Sequence, residues 1–499
     1  MSANKFAVDE RIPTGNAGLD AILRGGLPRN RLYLLEGAPG SGKTTLALQL
    51  LLEGVNRGEP TLYVTLSETS EELQAVARSH DWDLSGLHLF ELASAAEVLG
   101  EGREQSILHP WEMELGSTVR LIQEQVERIK PKRVVFDSLS EMRLLAQDPL
   151  RYRRQVLALK QYFVGRDATV ILVDDLTSDG QRDSHLHSLC HGVITLERLT
   201  LEFGPARRRL QIQKMRGVEF VAGYHDLAIR RGGLEVFPRL IAAEHQADFT
   251  GEQVPSGVAA LDALLAGGPL RGTSVLMSGP AGAGKSTIVL QFIVAACKRG
   301  ENCTIYQFDE RISTLFARSK AMGLDLEPLI KGGCLVIHQI DPAELSPGEF
   351  TARVRHEVER RNAKIIAIDS LAGYISAMPQ EQQLILQLHE LLSYLNHQGV
   401  LTFLISPQHG LVGSMVTGQL NVSFLADTVV LLRFFEAEGR IRKAISIIKN
   451  RAGEHEDAIR EMRIDSQGVR VGEPLVNFQG VMTGTPEYVG APGPLMENR

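Results

Sequence analysis

The amino-acid sequence is written twice. Residues 11–27 read RIPTGNAGLDAILRGGL and residues 253–269 read QVPSGVAALDALLAGGP. Pro13 matches Pro255, Gly15 matches Gly257, Leu19 and Asp20 match Leu261 and Asp262, and Gly25 and Gly26 match Gly267 and Gly268, all at an offset of 242 residues. Lys43 with Lys285 and Glu68 with Glu310 keep that offset, whereas Asp137 with Asp369 and Lys214 with Lys449 stand somewhat closer together. Insertions and deletions in loops account for such slippage. A period of about 240 residues is too long for a solenoid unit and fits two homologous domains. The join is expected within 237–252, giving domains over 1–245 and 246–485 of the 499 residues. The remaining 486–499, ending VGAPGPLMENR, reads as a short flexible tail.

Within each copy, apolar runs alternate with longer amphipathic stretches. Strands are expected at 31–36, 61–66, 133–136, 169–173, 192–196 and 209–213, and again at 274–277, 303–308, 365–368, 400–405, 428–432 and 444–448. Helical spacing lies between several of them, as at 117–129 and 382–396. The alternation predicts an α/β fold in each copy, a mostly parallel sheet flanked by helices, and the crowding of the late strands predicts an antiparallel edge.

Each copy carries G-x-x-x-x-G-K-[ST] between a strand and a helix, as GAPGSGKT at 37–44 and GPAGAGKS at 279–286. That context marks a phosphate-binding loop. Gly37, Gly40 and Gly42 let backbone N–H groups wrap phosphates without a Cβ in the way. Lys43 reaches the outer phosphates, the Thr44 hydroxyl is placed for Mg²⁺, and the helix N-terminus favours negative charge. Ser41 and Thr45 complete the first cradle. Gly279, Gly282, Ala283, Gly284, Lys285, Ser286 and Thr287 form the second. ATP and Mg²⁺ are the implied ligands.

Two further strands in each copy end in acid. RVVFDSLS places Asp137, and KIIAIDSLAG places Asp369, where a carboxylate beside the loop holds the Mg²⁺ shell. YVTLSETSEEL offers Glu68 and IYQFDERIS offers Asp309 and Glu310 to polarise an attacking water or hydroxyl. The acids and hydroxyls of 67–72 also suit a helix N-cap, and the two readings are compatible.

Composition excludes little but points one way. The formal net charge is −7, and Trp82 and Trp111 are isolated, so nothing marks a nucleic-acid surface. No apolar run approaches a membrane span, and the first 15 residues hold no apolar stretch, so a cytoplasmic location is expected. The four cysteines form no CxxC pair, and His185, His187, Cys190 and His191 fit no zinc spacing. ARRR at 206–209 and ERR at 359–361 read as solvated charge.

Together the two loops, the strands ending in Asp-Ser, the acids and the duplicated PxGxxxLDxxLxGG opening resemble the KaiC-like family of clock ATPases and autokinases, within the RecA superfamily. The resemblance covers roughly residues 10–490 and implies a double-ring homohexamer with ATP between neighbours. It implies that the K-x-R motif, here Lys214 with Arg216 and Lys449 with Arg451, reaches a neighbour's γ-phosphate. It implies a KaiB-like or other signalling protein as partner, and serine/threonine autokinase activity in the second domain. Within NVSFLADTVVLL, Ser423 matches the first acceptor; Phe424 stands in place of the second and has no hydroxyl, while Ser414 and Thr417 are neighbouring alternatives. The family's Glu-Glu dyad is Ser67-Glu68 in copy one and Asp309-Glu310 in copy two. The competing expectations are a DNA-dependent ATPase of recombinase or helicase type, and a nucleotide-gated scaffold.

Overall fold

A computed structural model describes residues 10–92, 110–146, 148–176, 184–201, 204–245, 247, 251–376, 381–407, 423–481 and 486–490. The chain divides into two compact units, Met1–Arg239 and Leu240–Arg499, each built on a nine-stranded sheet.

The first sheet comprises β1 (Leu32–Gly37), β2 (Thr61–Thr65), β3 (His88–Glu91), β4 (Arg133–Asp137), β5 (Thr169–Asp175), β6 (Gly192–Leu199), β7 (Arg207–Met215), β8 (Tyr224–Arg230) and β9 (Gly233–Phe237). Their spatial order is β3-β2-β4-β5-β1-β6-β7-β8-β9. The six from β3 to β6 pair in parallel, and β7, β8 and β9 follow antiparallel. β1, β2 and β4 read LYLLEG, TLYVT and RVVFD with every residue buried, as parallel strands covered on both faces require. β7 reads RRRLQIQKM and buries only Leu210, Ile212 and Met215, the alternation of a half-solvated antiparallel strand.

The second sheet repeats this plan. It comprises β10 (Ser274–Gly279), β11 (Asn302–Gln307), β12 (Leu335–Gln339), β13 (Ala363–Asp369), β14 (Leu401–Pro407), β15 (Thr428–Ala437), β16 (Arg440–Asn450), β17 (Arg460–Asp465) and β18 (Gly468–Pro474), ordered β12-β11-β13-β14-β10-β15-β16-β17-β18. The parallel core and the antiparallel edge of the sequence analysis are both present. The helices expected at 117–129 and 382–396 run over Pro110–Ile129 and Glu381–His397.

Residues 240–245 pack within the second unit. Leu240 and Ala242 join its core, the Ala242 N–H donates to Glu390, and Gln398 donates to the His245 carbonyl. At the other end, Glu487–Tyr488 pairs with Phe478–Gln479, so the C-terminal stretch begins with a paired strand. Residues 491–499 lie outside the described residues.

One buried cation fastens the first unit. Arg133, fully buried at the start of β4, donates Nε to Glu59 Oε2 at 2.6 Å and Nη1 to the carbonyls of Pro13 and Leu50 at 2.7 and 2.9 Å. It ties the strand that ends in Asp137 to the helix Lys43–Asn56 that follows the first loop.

Candidate nucleotide-binding sites

Both loops lie where the strand order reverses. β1 stands between β5 and β6, and β10 between β14 and β15. In open α/β sheets the crevice outside the strand ends at such a point is where ligands bind. Gly42 and Gly284 open the helices Lys43–Asn56 and Lys285–Lys298 with φ of 109° and 108°. That conformation favours glycine and points successive N–H groups into the loop. At Gly37, a Cβ would fall 2.4 Å from the Leu196 carbonyl oxygen.

In the first site, Lys43 Nζ donates to the carbonyls of Gly37 and Ala38 at 2.9 and 3.1 Å and pairs with Asp175 at 2.6 Å. Thr44 Oγ1 donates to Asp137 Oδ2 at 3.1 Å, and the Tyr63 hydroxyl donates to the same oxygen. Burial pushes the Asp137 carboxyl up, against those two hydrogen bonds and Lys43. Burial also pushes Glu68 up to about 7, with the charges of Asp137, Glu72 and Asp175 adding to the effect. Helix capping falls to Thr69 and Glu72, which form a capping box, so the N-cap reading of 67–72 holds for those residues. Among the described residues, neither Glu68 Oε2 nor Ser41 Oγ, both buried, has a hydrogen-bond partner.

These features fit a divalent cation. Asp137 and Glu68, both pushed up by burial, have Lys43 as their neighbouring cation among the described residues and room for more positive charge. Thr44 with Asp137 would supply the sparse protein ligand set that a Mg²⁺ needs.

The second site is related but distinct. Lys285 Nζ donates to the carbonyls of Gly279 and Pro280, both at 2.8 Å, and burial lowers its pKa to about 8. Pro407 ends β14 where Asp175 ends β5, so Lys285 has no counterpart to that carboxylate. Burial raises Asp369, and a hydrogen bond from Ser286 opposes the rise. Asp309 accepts a hydrogen bond from Ser370. Glu310 is held by Arg318, whose Nη2 and Nε lie 2.8 and 3.2 Å from its two oxygens. Ala283 and Thr287 are buried in the loop and the first turn of its helix.

The K-x-R cations lie elsewhere. Lys214 pairs with Val193 at the start of β6, whereas Gly37 is level with Leu196. The separation along the strand is on the order of 10 Å, directed away from the loop. Lys214 donates to the carbonyls of His187 and Cys190, and Arg216 to that of Ser188 at 2.9 Å. Lys449 likewise pairs with Val429 and donates to the carbonyls of Ser423 and Ala426; Arg451 donates its backbone N–H to Asp427. Ser423 therefore shares an edge with Lys449, at the opposite end of the sheet from the Gly279 loop. Ser414 and Thr417 lie outside the described residues.

Sequence reasoning missed several neighbours of these sites. Asp175 could have been found from its place at the end of the strand beside β1. Arg208, read as solvated, donates to the Gly40 carbonyl at 3.1 Å, and Arg198 lies beside that glycine. Tyr63 and Arg318 carried no motif. Two of the histidines have protein partners: His187 meets Glu36 at 2.8 Å, and His191 faces the Leu32 N–H.

Two P-loop sites on RecA-like parallel sheets define a tandem P-loop ATPase architecture. The profile of a family described as "ATPase: KaiC" matches residues 12–241 and 254–476. The chain belongs to the KaiC family of ATPases. It is 27% identical over 489 residues to "Circadian clock protein KaiC3" of Synechocystis sp., covering 96% of this chain and 95% of that one. It is 26% identical to "Circadian clock oscillator protein KaiC" of Parathermosynechococcus lividus over 95% and 88% of the two chains. Against the protein of the same name from Thermostichus vulcanus it is 27% identical over 96% and 92%. Among the described residues, no helix is long and apolar enough to cross a membrane.

Proposed function

We propose that both copies bind and hydrolyse ATP in a ring of protomers, a double-ring homohexamer, and that the second copy also phosphorylates Ser423. The observation that carries this reading is the placement of loops and cations at opposite ends of each sheet. A chain so built offers an incomplete phosphate site at one end and, at the other, the cations Lys214, Arg216 and Lys449, held there by backbone carbonyls. Lys214 with Arg216, or Lys449 with Arg451, of one protomer would then face the loop of the next, where cations stabilise phosphoryl-transfer charge.

The side chains have separable tasks. The loop N–H groups and Lys43 or Lys285 hold the phosphates. Thr44 with Asp137, or Ser286 with Asp369, would hold Mg²⁺, which when bound neutralises phosphate charge. Glu68 or Glu310, aided in copy two by Asp309, accepts the proton of the attacking oxygen as that oxygen bonds to the γ-phosphorus and the bond to ADP breaks. With water the product is phosphate. With the Ser423 hydroxyl of a neighbour it is phosphoserine, since Ser423 lies beside Lys449 and far from its own loop. Phe424 offers no second acceptor, so one phosphate per protomer is expected. A KaiB-like or other signalling protein would read the nucleotide or phosphate state. Purified protein incubated with ATP and Mg²⁺, then examined by light scattering and phosphosite mass spectrometry, tests both parts. A protomer that stays single with ATP present removes the ring, and an unmodified Ser423 removes the kinase while leaving the ATPase.

A further inference from the structure

The two sites differ at one position that belongs to neither motif. Val76 and Arg318 are equivalent by the 242-residue offset, on the helices Ser70–Ser79 and Ile312–Ala321 that follow the candidate bases. In the first copy, where valine stands, Glu68 Oε2 is buried and has no hydrogen-bond partner among the described residues. In the second copy the arginine grips both oxygens of Glu310, and its remaining nitrogen, Nη1, lies 3.3 Å from Thr287 Oγ1. Thr287 follows the Mg²⁺-ligand candidate Ser286 in the first turn of the loop helix.

A carboxylate can take a proton only through a lone pair aimed at the attacking water or hydroxyl. The planar guanidinium fork occupies the facing, more basic lone pair of both Glu310 oxygens at once, which a lysine cannot do. Opening that fork is a step that Glu68 does not face. The Thr287 contact links the fork to the helix turn on which phosphate and metal would settle.

We propose that Arg318 is a positioning residue that latches Glu310 away from the attacking oxygen, so that the second copy hydrolyses ATP under a restraint the first copy lacks. The latch rests on the reading of Glu310 as the base. Glu310 acts when the arginine lets go, and the loop helix, through Thr287, is the element that reports nucleotide to it.

The test uses full-length protein in a Glu68→Gln background, which silences proton transfer in the first copy and leaves its phosphate grip in place. Steady-state hydrolysis then reports the second copy. Replacing Arg318 with the valine of the first copy is expected to raise kcat about three- to fivefold, the scale of a partly exposed ion pair, with KM for ATP little changed. Arg318→Lys, with one ammonium in place of a fork, is expected to fall between. The reciprocal Val76→Arg, in a Glu310→Gln background, is expected to slow the first copy by a similar factor. Glu68→Gln with Glu310→Gln is the control. If that double variant hydrolyses ATP as fast as Glu68→Gln alone, Glu310 is not the base and the latch falls with it. If it is silent while Arg318→Val is unchanged or slower, the latch is wrong and the base assignment stands. Should Arg318→Val lower the melting temperature, Arg318→Lys and Val76→Arg decide: a lysine variant no faster than its parent, or a Val76→Arg variant no slower, overturns the latch.

Discussion

Replacing Asp175 with asparagine is expected to tighten nucleotide binding in the first copy. Lys43 has three N–H donors, and all three are engaged, by two loop carbonyls and by the Asp175 carboxylate at 2.6 Å. A phosphate that takes Lys43 must displace one of them, and the carboxylate also repels the incoming charge. Lys43 is largely buried and Asp175 about one-third exposed, so the pair is partly screened. Opening it, together with the lost repulsion, is worth roughly 1–2 kcal/mol, or about five- to thirtyfold in Kd. The assay is calorimetric titration of ADP·Mg²⁺ into protein carrying Lys285→Ala, which removes the second grip, with and without Asp175→Asn. The second copy, titrated separately in Lys43→Ala protein, is the reference, because Pro407 stands where Asp175 does. An affinity that is unchanged or weaker in Asp175→Asn would show that the carboxylate assists the bound nucleotide, and would refute the competition argument.

Other consequences are equally direct. Arg133→Met leaves Glu59 and the carbonyls of Pro13 and Leu50 without their buried cation, and is expected to destabilise the first unit by about 3–5 kcal/mol, seen as a lower urea midpoint. Glu68, raised to about 7, must be ionised to accept a proton, so kcat/KM of the first copy measured in Glu310→Gln should fall about tenfold per unit as pH drops below about 7. His225 is buried between the Val221 carbonyl and the Arg239 N–H, and burial lowers its pKa to about 4. The unfolded chain therefore binds this proton more readily: the stabilisation is full above about 6.5, declines as pH falls, and the loss of about 3 kcal/mol is complete below about 4. A His225→Gln variant should lose that part of the pH slope in urea unfolding, and an unchanged slope would contradict the assignment.

The parts of the fold that could be read from sequence are those that physics writes locally. Continuous apolar strands such as LYLLEG and RVVFD announce burial on both faces, and the loops announce themselves through glycines that must turn beside a strand. The strands that escaped notice, β3, β8 and β9 with their counterparts β12, β17 and β18, lie at the margins of the sheets. HLFE and YHDLAIR are half solvated, and their charges blur the alternation. The ion pairs escaped for another reason. Arg133 finds Glu59, and Lys43 finds Asp175, across long stretches of chain, through strand order that no spacing encodes. Arg318 is eight residues from Glu310 in sequence, yet only the helix that turns it back shows what it holds.

The segment 240–245 has a practical consequence for dissecting the protein. The duplicated opening begins near Val254, and a fragment cut there by sequence alone would look complete. It would nevertheless arrive without Leu240 and Ala242, baring the apolar groove they fill and stranding Glu390, whose amide donor is gone, while His245 no longer meets the ring of Tyr394. The second repeat should be cut upstream of Leu240, because the place where its text starts over is not the place where its interior is sealed.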